Sequence, residues 1–483
     1  MQAERYIAAA DLGSAKIALS VAKVEGEDIQ IIYYREVPSD GVRYSCVYNP
    51  GKAAAALRNV ILDAEEQLHI KILQLVVGLP RYSIRQETGT AAIRRSDPGS
   101  NISKEEIANL KSMAIDSYEL KDPVKEEIYG AVAQSFSADD ELVCASENDV
   151  IGVSADTLEG NFNIFIGNQK PVSNIDRMLN DVGVAPAHKI FIPTAVAGAV
   201  LTEGERENGI ALVEMGAGVT SVTVYRGNLI RHYASIPFGG RSITSDIKAE
   251  CGFTERLAEN IKLAYGACMP DKLQSLSEKI IQINDDENGS YEQLPVKYLS
   301  EIITCRAKEI VNAILYLIQE SGYADKLRNG IVLTGGGANL VNLANMIRDM
   351  SGYTVRLGFP RSQMFSSSGY AEARETGAAA SIGMLLEAKK DTRLNCIEES
   401  EQEDAQPAVQ DQEGRETASE PEFDEEGNGK IFTDGDIPGE VITPSKKKGR
   451  HRDKDGEAPR ITWRTKILNK IEDTVGELFD TMN

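Results

Sequence analysis

One pattern occurs twice in this chain and limits what it can fold into: strand, acid-x-Gly turn, strand, Gly turn, strand. The first copy runs from Tyr6 to Ala10 as a buried strand, through Asp11-Leu12-Gly13-Ser14-Ala15-Lys16, and on to a second strand. A turn at Glu25-Gly26 then leads to a third strand, Ile29 to Tyr34. The second copy runs from Ile210 to Val213, through Glu214-Met215-Gly216-Ala217-Gly218, past a turn at Arg226-Gly227, to a strand over Leu229 to Ile236. Glycine at the turns suits tight hairpins. A helix over Lys52 to Leu68 precedes the apolar strand Leu73 to Val77, and a helix over Tyr298 to Ser321 precedes Gly330 to Leu333. Helix-period and strand-period patterns in this order predict two related α/β halves, which enclose a cleft where ligands bind.

The stretch from about 81 to 160 has no counterpart in the repeat and reads as an insertion into the first half, with a helix near Lys104 to Ser117. Residues 389–460 are acidic from Asp391 to Glu440, then basic through Lys446-Lys447-Lys448-Gly449-Arg450-His451-Arg452. Poor in large apolar side chains, they bury too little surface to offset their ordering entropy, so a disordered linker is expected. Helical periodicity returns over Ile461 to Asn483.

The net charge of -22 excludes bulk nucleic-acid binding, which needs a positive field. The six cysteines form no C-x-x-C pair, so neither a zinc knuckle nor a redox dithiol is indicated. Glu4 and Arg5 stand before only a short apolar run, unlike a signal peptide. The longest apolar run, Ala378 to Leu386, contains Gly383 and is too short to span a bilayer. The expected location is the cytosol.

Three glycine-bearing turns carry the chemistry. In the first, Gly13 lets a backbone N–H approach a phosphate, Ser14 offers a hydroxyl, Lys16 a charge, and Asp11 a carboxylate for a hydrated cation. In the second, Gly216, Ala217 and Gly218 are small enough for a phosphate nest, and Glu214 repeats the acid. The third, Thr334-Gly335-Gly336-Gly337, follows a buried strand and permits close approach of a flat ring or ribose. Each alone reads more readily as an ordinary turn; at matching places in two halves they favour nucleotide binding. There is no P-loop motif and no complete G-x-G-x-x-G after a strand. His69, His188, His232 and His451 have no metal or triad spacing.

These turns resemble the phosphate-1, phosphate-2 and adenosine motifs of the actin and heat-shock chaperone superfamily. Within it, local runs are similar to the FtsA family of bacterial cell-division actin homologues: Phe191 to Leu201 with Thr202-Glu203-Gly204-Glu205-Arg206-Glu207-Asn208-Gly209, then Ile236-Pro237, Gly239 and Thr244-Ser245-Asp246-Ile247. Ala258-Glu259-Asn260-Ile261-Lys262 before Tyr265-Gly266, and Val355-Arg356-Leu357-Gly358, continue the likeness. The resemblance spans about 5 to 388 and the terminal helix. It implies an actin-like, ribonuclease H-like duplicated fold: first half at 1–80 and 161–195, an FtsA-type inserted subdomain at 81–160, second half at 196–365, a return helix at 366–388, the linker at 389–460 and an amphipathic helix at 461–483. It also implies ATP and Mg2+ as ligands. Asp11 would hold the ion through water; Gly13, Ser14, Lys16, Glu214, Gly216, Ala217, Gly218, Val219, Thr220, Gly335, Gly336 and Gly337 would line the nucleotide, and Glu259 and Lys262 would flank the adenosine. On the residues alone, that last pair is equally an i, i+3 surface ion pair.

Departures from the family pattern bear on catalysis. Glu214 stands where Asp is usual, Val219 where threonine is usual, Ser221 where aspartate is usual, and Ile192 replaces the acid before Pro193. Hydrolysis needs a positioned water, and no residue is evident for that task. ATP is therefore expected as a conformational or assembly ligand rather than a rapidly consumed substrate.

In the tail, Trp463, Ile467, Leu468, Ile471, Val475, Leu478, Phe479 and Met482 fall within one arc of roughly 160° on a helix. With the basic cluster before it, this predicts a tether to anionic lipid; docking onto the body or a partner helix is the alternative. The resemblance implies a peripheral protein at the cytoplasmic face of the bacterial inner membrane, at the division site. It would self-associate, bind the tubulin-like FtsZ and other division proteins, and hold FtsZ at the membrane. Rival readings are a sugar kinase or chaperone-type ATPase, and a pilus-assembly or shape-determining actin homologue.

Overall fold

The computed structural model describes residues 4–399, apart from 98, 140–141, 145–146, 275–277 and 286–289, and the strand Gly439–Ile442. The chain divides into two compact units, 1–442 and 443–483. The expected terminal helix, with Trp463 through Met482, lies outside the described residues, as do residues 400–438 and 443–460 of the expected linker. Among the described residues no helix is long and apolar enough to cross a membrane.

The duplication is plain in the sheets. The first has the strand order Ala185–Ile190, Gln74–Gly78, Arg5–Leu12, Lys16–Glu25, Asp28–Pro38, with Ser366–Ser367 at its edge. The second, taken from the corresponding end, has Val355–Leu357, Ile331–Thr334, Ile210–Met215, Thr220–Arg226, Leu229–Ile236. In both, a strand ending in an acid pairs in parallel with the strand on one side and antiparallel with the hairpin on the other. The helices Pro50–Leu68 and Val296–Glu320 occupy equivalent places in the two halves. The former starts on Asn49, whose side chain accepts from the Lys52 N–H, with Pro50 in the first turn, where its missing donor costs nothing.

Ile7, Ala8, Ala9 and Ala10 are fully buried in the central strand. Their small side chains admit the helices Ile192–Val200 and Ala379–Ala388, which pack into the same core. The longest apolar run of the sequence is thus an interior helix, apolar on all sides because it is covered on all sides. Ile192, in place of an acid, is core too and lies against Gly78.

The insertion has its own core. Strands Arg85–Arg94, Glu126–Ala138, Leu142–Cys144 and Thr157–Asn168 form an antiparallel sheet, and Ile107 and Leu110 of the helix Lys104–Asp116 are buried with Phe136 and Phe162. Ser103 and Glu106 close a capping box at the start of that helix. The last strand carries this sheet past 160, to Asn168. One face of the insertion touches the second half: Gln134 Nε2 donates to the Ile230 carbonyl at 2.9 Å, and the Tyr233 N–H to Gln86 Oε1 at 3.0 Å. Phe165 stacks on Phe191 at 4.7 Å, with Tyr233 edge-on to both.

Two pieces of the stretch expected to be linker are built into the body. Ile397–Glu399 pairs antiparallel with Ile70–Ile72, Cys396 is buried, and its N–H donates to the Tyr6 carbonyl at 2.8 Å. Arg5 donates to the carbonyls of Lys389, Asp391 and Leu394. Gly439–Ile442 pairs with Ile280–Asp285, whose other neighbour is Ser290–Pro295. A hairpin edge offers unpaired backbone groups, and the β-branched Val441 and Ile442 suit a strand that satisfies them. Composition averaged over the whole stretch conceals such short segments.

Candidate functional site

The ends of both central strands open on one cavity of about 660 Å³. Its floor is made by the two matched turns. Between Leu12 and Ile17 lie Gly13, Ser14, Ala15 and Lys16; between Met215 and Thr220 lie Gly216, Ala217, Gly218 and Val219. The turns have equal length and face each other closely. A Cβ on Gly218 would stand 2.8 Å from Ser14 Oγ, so only glycine fits there without a shift. Ser14 is buried, and its Oγ accepts from the Ser45 N–H at 3.0 Å. The helix Gly240–Cys251 begins on the second turn: the Gly240 N–H donates to the Gly216 carbonyl and the Arg241 N–H to that of Ala217. Arg241 then reaches across the halves and donates to the Ser14 carbonyl at 3.0 Å.

The third turn closes the site from above. Gly335 has φ +86°, and a Cβ there would lie 2.5 Å from the Met215 carbonyl oxygen. On Gly337 it would meet Met215 Cγ at 2.6 Å, whereas on Gly336 it would meet nothing within 4 Å. Of the three glycines, two let the loop lie on the second turn and one leaves space in the cavity. Thr376 fixes the loop by donating to the Gly335 carbonyl and to Asn339 Oδ1.

Glu259 and Lys262, one turn apart on the helix Glu255–Tyr265, both line the cavity. Lys262 Nζ donates to Glu259 Oε2 at 2.7 Å, to Thr244 Oγ1 at 2.8 Å and to the Gly240 carbonyl at 3.0 Å. Burial pulls the Lys262 ammonium below its usual range, partly offset by Glu259. The pair is thus a fixed part of the wall, not a surface ion pair.

Of the residues predicted for the site, Asp11, Gly13, Ser14, Lys16, Glu214, Gly216, Ala217, Gly218, Val219, Glu259, Lys262, Gly335, Gly336 and Gly337 all line this cavity. Thr220 does not: it is buried and donates to the Phe238 carbonyl at 2.8 Å, because alternation along the strand turns it from the cleft. Its neighbour Ser221 faces the cavity instead. Gly377 also lines it, near Gly336.

Arg81 was not expected there. It lies at the cavity floor with its side chain 10% exposed. Its Nη2 donates to Asp11 Oδ1 at 2.8 Å, its Nη1 to Ser45 Oγ at 3.2 Å, and its Nε stands 3.4 Å from Glu214 Oε1. That last contact is a charge attraction without hydrogen-bond alignment, and the Nε proton has no acceptor. Burial pushes the Glu214 carboxyl above its ordinary range, against the pull of Arg81. The repeat held the signal that places Arg81. Asp11 and Glu214 are equivalent, as are Val77 and Leu333, so Leu79-Pro80-Arg81 is the counterpart of Gly335-Gly336-Gly337.

The remaining acid beside the first turn, Glu36, is also engaged. Lys16 pairs with Glu36, which accepts from Tyr34 Oη at 2.6 Å. The site thus offers small turns, backbone donors and cations to a polyanion, while its acids are held by counter-charges rather than free to take a proton from water.

The family model "Cell division protein FtsA" matches residues 211–383. Among curated proteins, the chain is similar to cell division protein FtsA of Neisseria meningitidis serogroup B, 28% identical over 86% of this chain and 96% of that protein. It is also similar to FtsA of Borreliella burgdorferi, 29% identical over 73% and 84%. Among solved structures, it shares its fold with a chain of the "PilM-PilN type IV pilus biogenesis complex", at a TM-score of 0.55 and 14% identity over 80% of this chain and 98% of that one. The chain is an actin-fold, ATPase-like α/β protein, related at low identity to FtsA proteins.

Proposed function

We propose that this protein is an ATP-binding actin homologue of the division machinery, which self-associates and tethers FtsZ filaments to the cytoplasmic face of the membrane. The observation that carries the ATP reading is the convergence of three glycine turns from two halves on one cavity, with Glu259 and Lys262 in its wall. Phosphates fit the two floor turns, where backbone N–H groups and Lys16 meet them. The ribose and base fit between the third turn and the helix Glu255–Tyr265. Nucleotide bridging both halves favours the closed arrangement in proportion to its differential affinity for it, which makes ATP an assembly ligand. Slow hydrolysis follows from the engaged acids and from Ile192 in the core.

The cell-division assignment is supported by the named relatives, and the membrane role by the amphipathic pattern of 461–483 behind a basic cluster. An anionic surface would hold that segment, with FtsZ and other division proteins as partners of the body.

Calorimetric titration with ATP tests the cavity. Gly336→Val adds bulk where a Cβ meets nothing; it should abolish ATP binding while leaving the unfolding midpoint within about 2 °C of the parent. Unchanged ATP affinity in that variant would remove the cavity as the nucleotide site. For the tether, the full chain and a truncation before Ile461 are sedimented with anionic vesicles. Only the full chain should pellet; if neither does, the tether is wrong. Failure to capture FtsZ even at low salt would count against the recruiting role.

A further inference from the structure

The nucleotide reading brings with it the expectation of a hydrated divalent cation beside Asp11, near the end of the first central strand. Here that acid is taken. Asp11 Oδ1 accepts from Arg81 Nη2, and Glu214, the matching acid of the second half, lies 3.4 Å from Arg81 Nε. The guanidinium sits between the two carboxylates, nine-tenths buried, with Ser45 Oγ holding its third nitrogen. Among the described residues no group of three or more His, Cys, Asp or Glu side chains could hold a metal ion. A hydrated ion at Asp11 would have to break the Asp11–Arg81 pair and would bring two positive charges beside a buried third. The donor set does not fit it.

We infer that Arg81 takes the place of the divalent cation at the phosphate end of the cleft, so that nucleotide binding does not require magnesium. This rests on the nucleotide reading of the cavity. Arginine suits the part for three reasons. It keeps its charge at any working pH, its planar fork can serve carboxylates and phosphate oxygens together, and it is more weakly hydrated than an ammonium. In this structure Asp11 and Glu214 are the walls that aim it, and its Nε proton has no acceptor. With Lys16 beside it, two fixed side-chain cations meet the phosphates.

The position of Arg81 also gives the cation a mechanical partner. Arg81 opens the insertion; Tyr233 of the second half donates its hydroxyl to the Arg81 carbonyl. Its backbone is therefore held by one half of the molecule and its side chain by an acid from each. A lysine in its place keeps the charge and loses the fork, whereas alanine leaves two buried carboxylates facing each other. Those carboxylates are then free to bind a real divalent ion.

The test is ATP affinity of the full chain by calorimetry, in magnesium and in EDTA, for the parent, Arg81→Ala and Arg81→Lys. The parent should change less than about threefold between the two buffers, since its own side chains supply the charge-assisted contacts. Arg81→Ala should bind about tenfold or more weakly in EDTA and recover in magnesium, while Arg81→Lys stays insensitive to magnesium. A second readout needs no nucleotide: magnesium alone should raise the unfolding midpoint of Arg81→Ala and leave that of the parent unmoved. If Arg81→Ala does not fold, the parent and Arg81→Lys in the two buffers decide. A parent that loses tenfold or more in EDTA overturns the inference and leaves the nucleotide site standing. A parent that binds no ATP in either buffer overturns the nucleotide reading and the inference with it.

Discussion

The two halves of this molecule share a strand order, a register and a turn length, yet they do different work in the cleft. Position for position, the first half presents Ser14, Lys16 and Arg81; the second presents Ala217, Val219 and Gly337. One side supplies hydroxyl and charge, the other supplies room. A duplicated scaffold fixes where backbone turns meet, and side chains then divide the labour between charge and space. Symmetric side chains across the cleft are neither needed nor present.

The largest effect should come from filling the roomy side. Gly218→Val drives a side chain into Ser14, whose Oγ is held by the Ser45 N–H, and by displacing that residue of the cavity floor should weaken ATP binding more than about 100-fold. The matched change in the other half, Ala15→Val, lies at an exposed position and should leave affinity within about threefold. Equal losses at both positions, measured by calorimetry, would dissolve the asymmetry.

Charge comes next. Lys16→Ala should cost roughly 10- to 100-fold in ATP affinity, the range of a lost charge-assisted contact. Val219→Thr, which restores the hydroxyl that the related family carries, should change it by less than about threefold. A gain of tenfold from Val219→Thr would mean that the second turn also binds through its side chains.

Gly337→Ala addresses the third turn and its counterpart. A Cβ there meets Met215, so the variant should lose about 1–3 kcal/mol of stability in denaturant titration. An unchanged midpoint would show that the loop does not lie on Met215 as the structure has it.

The smallest effect concerns Glu214. Its carboxyl is pushed above the ordinary glutamate range by burial. A raised pKa in the folded state means stability that is full below the unfolded value and declines as pH rises through the folded one. Glu214→Gln should therefore match the parent near the ordinary value of 4.5 and be slightly more stable at neutral pH. A variant clearly less stable than the parent at neutral pH would show that the Arg81 contact outweighs the burial of the charge.

How much of this was legible in the sequence follows from the physics of each signal. The duplicated halves could be read because hydrophobic period, glycine turns and acid positions recur in order. The glycines of the site were found for the same reason. Thr220, expected to line the nucleotide, turns its side chain from the cavity: nearness to a turn in sequence says nothing about which face of a strand a side chain takes, and alternation from Val219 leads to Ser221. Arg81 was missed because an arginine after a proline has no motif of its own. Only the pairing of strands Arg5–Leu12 and Gln74–Gly78 sets it opposite Asp11. The short strands Ile397–Glu399 and Gly439–Ile442 were hidden by the charged composition around them.

The first of those strands has a consequence when the molecule is considered as a machine part under load. If the chain is anchored beyond Ile442 and the body is pulled away until Gly439–Ile442 parts from Ile280–Asp285, tension then enters at Glu399. It meets first the antiparallel pair with Ile70–Ile72, then the clamp of Arg5 on three carbonyls. The clamp, with the Cys396 N–H bond to the Tyr6 carbonyl, grips the strand that carries Asp11. A pull on the tail is thus delivered to the rod whose far end forms the cleft floor, and drag on an anchored molecule would be felt at the cavity.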